Sequence, residues 1–112
     1  MSNVIDIETL SNLTEIMGDD MGMLLETYID DCTGKVTSIC AMNLTTDQEE
    51  IFKMAHSLKG SSRNIGVTEF ADYCAEAERL ARTGDLTESD FNPNTIHLLF
   101  NRAVSELKSN YM

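Results

Sequence analysis

Tryptophan is absent from this chain, proline occurs once, and positive charge is scarce. Over 112 residues, eight Lys and Arg stand against 19 Asp and Glu, a formal net charge of −11. Each shortage excludes something. One proline and six glycines leave little punctuation for a many-turned β fold. The deficit of basic residues removes the footprint that a general nucleic-acid binder needs. It also disfavours anionic membrane surfaces. No apolar run approaches the ~18–20 residues that span a bilayer. The opening MSNVIDIETL has neither a basic start nor an apolar signal core, so a cytoplasmic protein is expected. Cys32, Cys40 and Cys74 are odd in number and form no CxxC pair. They read as small buried thiols rather than a disulfide or metal set.

What is present suits helices. A hydrophobic fraction of 42% provides for one core, and the length fits a single domain over residues 1–112. Seven Met and many Leu, Ala and Glu are unbranched or small, and lose little rotamer freedom in a helix. The methionines read as core filler, and the acidic residues at 15, 19, 20, 26, 30 and 31 as a solvated face.

Periodicity divides the chain into five windows. Ile7, Leu10, Leu13 and Met17 repeat at helical spacing from about Asp6 to Met17, where Gly18 intervenes. Leu25, Ile29, Cys32, Val36 and Ile39 mark a second helix from Met21 to Asn43, continuous through Gly34 at a cost of about 1 kcal/mol. Thr46-Asp47-Gln48-Glu49 reads as a capping box opening a third helix, which runs to Asn64 or Ile65 and stops at Gly66. The fourth starts near Thr68, buries Phe70, Tyr73, Cys74, Ala77, Leu80 and Ala81, and closes at Gly84. Arg79 and Arg82 suit the dipole of its last turn. After a polar connection from Asp85 to Phe91, Asn92-Pro93 starts the last helix, carrying Ile96, Leu99, Phe100, Ala103, Leu107 and Tyr111. Amphipathic helices with short connections pack as antiparallel neighbours. The expected fold is all-α: an up-down-up-down four-helix bundle, with the short N-terminal helix covering one end.

One segment stands apart. Residues 51–66, IFKMAHSLKGSSRNIG, contain no acidic residue and hold Lys53, Lys59 and Arg63. On a helical wheel Phe52, Lys53, Lys59, Gly60 and Arg63 all fall within about 60° of His56. Met54, Leu58, Ile65 and Ile51 lie on the opposite side. His56 is therefore placed in water, in the middle of a basic face, rather than in the core. Neighbouring lysines argue against a metal there, since zinc wants several His, Cys or carboxylate ligands together. Gly60, one turn away on the same face, bares the imidazole to a bulky partner. An exposed nucleophile flanked by cations suits a phosphoryl group: neutral imidazole attacks phosphorus, and Lys59, with Arg63 and Lys53, offsets the charge gained. Imidazole titrates near ~6.5 when unperturbed, which keeps the nucleophilic form populated at neutral pH. His97, beside the stripe of the last helix, reads as structural.

The run Ala55-His56-Ser57-Leu58-Lys59-Gly60-Ser61-Ser62 with Gly66 closely resembles the HxxKGxxxxxG signature of histidine-containing phosphotransfer (HPt) domains of bacterial phosphorelays. The helical layout around it agrees over nearly the whole chain. The resemblance implies that His56 accepts a phosphoryl group from the aspartate of a receiver domain, such as that of a hybrid sensor histidine kinase. It then passes the group to the receiver of a response regulator. Lys59 would stabilise the phosphohistidine, Gly60 would give access, and Glu78 would occupy the family's acidic position on the fourth helix. Phe52, Lys53 and Arg63 are candidate partner contacts. Val67 departs from the family's usual Ala, a change expected to affect packing.

No Walker loop or kinase glycine loop is visible, and Ser57 stands where many sensor-kinase dimerisation helices carry an acid after the histidine. The expectation is a free-standing, monomeric phosphotransfer intermediate, not a kinase. No cofactor of its own is expected; magnesium would come with the receiver. Two alternatives compete: a receiver-binding adaptor that is not phosphorylated, and the dimerisation half of a split histidine kinase.

Overall fold

The computed structural model describes residues 4–112. Among these residues the regular structure is all helical: α1 (Ile7–Met17), α2 (Met21–Cys40), α3 (Gln48–Ile65), α4 (Thr68–Arg82) and α5 (Pro93–Tyr111), with a single 3-10 turn, Gly18–Asp20, between α1 and α2. No helix is long and apolar enough to cross a membrane among the described residues.

Contacts between helices fix their directions. Tyr28 meets Ser62 and Lys35 meets Ser57, so α2 and α3 run oppositely. Glu78 meets His56 and Asp72 meets Arg63, which reverses α4 on α3. Glu69 meets Arg102 and Tyr73 meets Asn92, which reverses α5 on α4. Cys40 at the end of α2 lies by Pro93 at the start of α5 and closes the ring. The result is the up-down-up-down bundle.

Its core is built from Leu25, Val36 and Ile39 of α2, Ile51, Ala55 and Leu58 of α3, Phe70, Cys74 and Ala77 of α4, and Ile96, Ala103 and Leu107 of α5. Small residues on α4 let it approach α3 closely. Cys32 and Cys74 are buried free thiols, while Cys40 is half-exposed. Burial pushes the Cys32 thiol up to about 11 and raises Cys74 further, so both stay protonated and inert at neutral pH.

The α3–α4 corner needs Gly66. Its φ of +97° is left-handed, and a Cβ there would stand 3.1 Å from Thr9 Cβ and 3.2 Å from the Asp6 carbonyl oxygen. The start of the chain straps this corner. Asp6 N–H donates to the Gly66 carbonyl (2.7 Å), and the Val4 carbonyl accepts from the first amide of α4, Thr68 N–H (3.2 Å). Helix α1 thus covers one end of the bundle, with Leu10 buried. Val67 is fully buried at the same corner.

Several local expectations are corrected. The capping box at Thr46 does not form: α3 begins at Gln48. Asn43 Oδ1 accepts from the Thr46 amide (3.2 Å), the donor Glu49 would have taken, and Glu49 turns to Lys53 instead. Asp47 in turn accepts from Asn43 N–H at 2.8 Å. That Asn43–Asp47 exchange also ends α2 at Cys40 rather than Asn43. The connection after α4 is not simply polar, because Leu86 and Phe91 are buried. Gln48 bonds both Leu86 backbone groups and draws the loop onto α3. Ile7 and Met23 are exposed, so neither the whole α1 stripe nor every methionine serves the core. The start of α5 follows expectation, with Pro93 in its first turn and the Asn92 side chain accepting from Asn94 N–H at 2.8 Å.

Candidate functional site

The outer face of α3 is the part of the molecule where cations gather. Helix α3 turns Ile51, Ala55, Leu58, Ser62 and Ile65 inward. The geometry of 3.6 residues per turn then forces His56 outward. Its side chain is 65% exposed.

The imidazole is not loose. Nδ1 lies 2.6 Å from Oε2 of Glu78, whose side chain is only 7% exposed. The other oxygen of Glu78 takes the ammonium of Lys59. Burial pushes the Glu78 carboxyl up, but the hydrogen bonds and charges of Lys59 and His56 outweigh it and hold it below the usual range. Glu78 is therefore an ionised acceptor at neutral pH. A carboxylate can only accept, so Nδ1 carries the proton and, in the neutral ring, Nε2 holds the lone pair. The nucleophilic nitrogen is thereby the one at the exposed edge.

Gly60 lies beside this ring with no heavy atom within 4 Å of where a Cβ would project. Nothing inside the protein requires glycine at that position, so the open space faces outward. Phe52, half-buried at the edge of the core, places its ring 6.4 Å from the imidazole with planes 23° apart. Lys53 is exposed and reaches back to Glu49 at 3.6 Å, while Arg63 crosses to Asp72 of α4 at 3.6 Å. All six of the residues expected from the sequence share this face, though Lys53 and Arg63 spend their charge on carboxylates away from the ring.

Three cations of the site were not foreseen. Lys35 of α2 donates to Ser57 Oγ at 2.8 Å, next to His56 in the chain, and pairs with Asp31. Arg79 and Arg82 of α4 line a cleft of about 250 Å³ together with Lys59, Ala75 and Glu78. Six of the eight Lys and Arg thus stand on the three helices around His56. Arg79 and Arg82 had read as partners of a helix dipole, and Lys35 carried no reading; only the antiparallel pairing brings them to the histidine. His97, by contrast, is exposed on α5, with no hydrogen bond or ion pair to it among the described residues.

A bundle that offers one cradled imidazole on a cationic face defines a phosphotransfer module, and the comparisons agree. The sequence profile of the Hpt domain matches residues 23–109, and the chain belongs to that family. Among solved structures it is similar to the crystal structure of histidine-containing phosphotransfer protein B (HptB) from Pseudomonas aeruginosa PAO1. The TM-score is 0.88 and the identity 29%, over 97% of this chain and 95% of that one. No curated protein sequence matches significantly.

Proposed function

We propose that this Hpt-domain protein carries phosphoryl groups between receiver domains on Nε2 of His56. The observation that carries the reading is the bond from His56 Nδ1 to buried Glu78, which leaves Nε2 as the exposed nucleophile. In the transfer, the Nε2 lone pair attacks the phosphorus of a receiver aspartyl phosphate. The P–N bond forms, the acyl P–O bond breaks, and the aspartate leaves as its carboxylate. The reverse sequence delivers the group to the next receiver. Magnesium belongs to the receiver, where it offsets charge on the phosphoryl oxygens.

The cationic face serves the intermediate. A phosphohistidine adds negative charge at the imidazole edge, and Lys59 is held one bond away through their common partner Glu78. Gly60 admits the donor to the ring.

The test is incubation with a purified, phosphorylated receiver domain. Acid-labile label appears on the wild type and is lost in His56→Gln. Label retained by His56→Gln would move the site elsewhere, and an unlabelled wild type that still binds the receiver would favour an adaptor.

A further inference from the structure

The docking of a partner needs charges that are not already spent. Around His56, Lys35, Lys53, Lys59, Arg63 and Arg79 each hold a carboxylate. Arg82 does not: among the described residues its guanidinium has no acidic partner. It lies instead 5.4 Å from the centre of the Phe52 ring. Phe52 is the same ring that stacks towards the imidazole. Arg82 also borders two clefts, one shared with Lys59, Glu78 and Arg79, the other with Gln48, Glu49, Phe52 and Gly84. Glu49, the acid in the second cleft, is paired with Lys53.

A dipole role at the end of α4 would need only a positive charge. It gives no reason for a guanidinium held at the face of an aromatic ring. The contact holds the guanidinium at the ring by a cation–π attraction and costs it part of its rotamer freedom in advance. A guanidinium, unlike an ammonium, offers a fork of N–H donors that fits both oxygens of a carboxylate. Arg82 is in contact with Phe52, whose ring centroid lies 6.4 Å from that of the imidazole. As an arginine beside the histidine's neighbour, it is assigned a group next to the reacting phosphorus rather than the phosphoryl oxygens.

We infer that Arg82, pre-set on Phe52, is a docking anchor for a surface carboxylate of the receiver partner. The inference rests on the phosphocarrier reading and names a specificity contact within it.

The experiment measures initial transfer rates from a purified phosphorylated receiver domain across its concentration, for wild type, Arg82→Ala and Arg82→Lys. In parallel, each protein is labelled chemically with phosphoramidate, which needs no docking: ammonia leaves as the P–Nε2 bond forms. For Arg82→Ala the half-saturating receiver concentration rises about 10-fold, with a maximal rate within about twofold of wild type, as expected for a lost charge-assisted contact at an interface. Arg82→Lys stays severalfold weakened, because an ammonium lacks the planar fork. Phosphoramidate labelling is equal in all three. An unchanged half-saturation in Arg82→Ala overturns the anchor. So does full recovery in Arg82→Lys, which would reduce the role to bare charge, or a loss of phosphoramidate labelling in Arg82→Ala, which would place Arg82 on the phosphoryl group. A wild type that phosphoramidate fails to label on His56 overturns the phosphocarrier reading itself, and the anchor with it.

Discussion

The 2.6 Å contact between His56 Nδ1 and Glu78 Oε2 ties an imidazole that stands largely in solvent to a carboxylate that is almost wholly enclosed. The ring keeps one orientation because its anchor cannot move, and the anchor stays ionised because two cationic or polar donors converge on it.

That anchor gives the protein a pH signature. The folded pKa of Glu78 lies below its ordinary 4.5. The native state therefore holds fewer protons than the unfolded chain. The stability that Glu78 contributes is present above the ordinary value and is lost as pH falls through the lower folded value. Thermal melts from neutral pH downward, compared with Glu78→Gln, should show the wild-type advantage closing in that acid window. A gap that does not change with pH would contradict the ionised, doubly bonded carboxylate. Glu78→Gln should also slow transfer to His56 by about 10-fold, since second-sphere partners of a reactive histidine carry effects of that order.

Gly60 sets stability against access. A methyl group there meets nothing, so Gly60→Ala should stabilise the fold by up to about 1 kcal/mol through helix propensity. Gly34, equally open in α2, should respond alike. Gly60→Gln should keep the fold and block transfer from a phosphorylated receiver. Normal transfer by Gly60→Gln would remove the account of this residue given above.

Inside the bundle, Tyr28 and Ser62 share a 2.7 Å hydrogen bond between two hydroxyls buried in the core. Burial drives the Tyr28 phenol well above its normal range, so it remains neutral. Tyr28→Phe should cost about 1–2 kcal/mol in urea unfolding by stranding the Ser62 hydroxyl. Adding Ser62→Ala should recover part of that cost, a non-additivity readable from the double-mutant cycle.

Gly66→Ala should destabilise by about 2 kcal/mol or more, because the left-handed backbone and the contacts with Thr9 and Asp6 both resist a side chain. A melt indistinguishable from wild type would mean that the corner tolerates rearrangement.

Helical spacing was enough to locate all five helices, since a buried stripe repeats locally and Gly66 and Pro93 punctuate it. The wheel alone put His56 opposite Ile51 and Leu58 and brought Lys59 and Gly60 to its side; the HxxKG run then added the family resemblance. What escaped was non-local or competitive. Glu78 had been placed by resemblance only, because a partnership across 22 residues leaves no local trace. The Tyr28–Ser62 bond spans 34 residues, and Ser62 looked like any polar helix residue. Arg82 resembled a dipole partner until Phe52 came beneath it. The Thr46 capping box failed because Asn43, outside the pattern, took its amide.

Most of the scarce cations on one side of a chain with net charge −11 make the molecule strongly polarised. It should therefore approach an acidic partner already turned, the field supplying a torque before any surfaces touch. Collisions on its other sides meet repulsion. Raising ionic strength shortens the reach of that torque, so encounters become less well aimed even where every contact residue is intact.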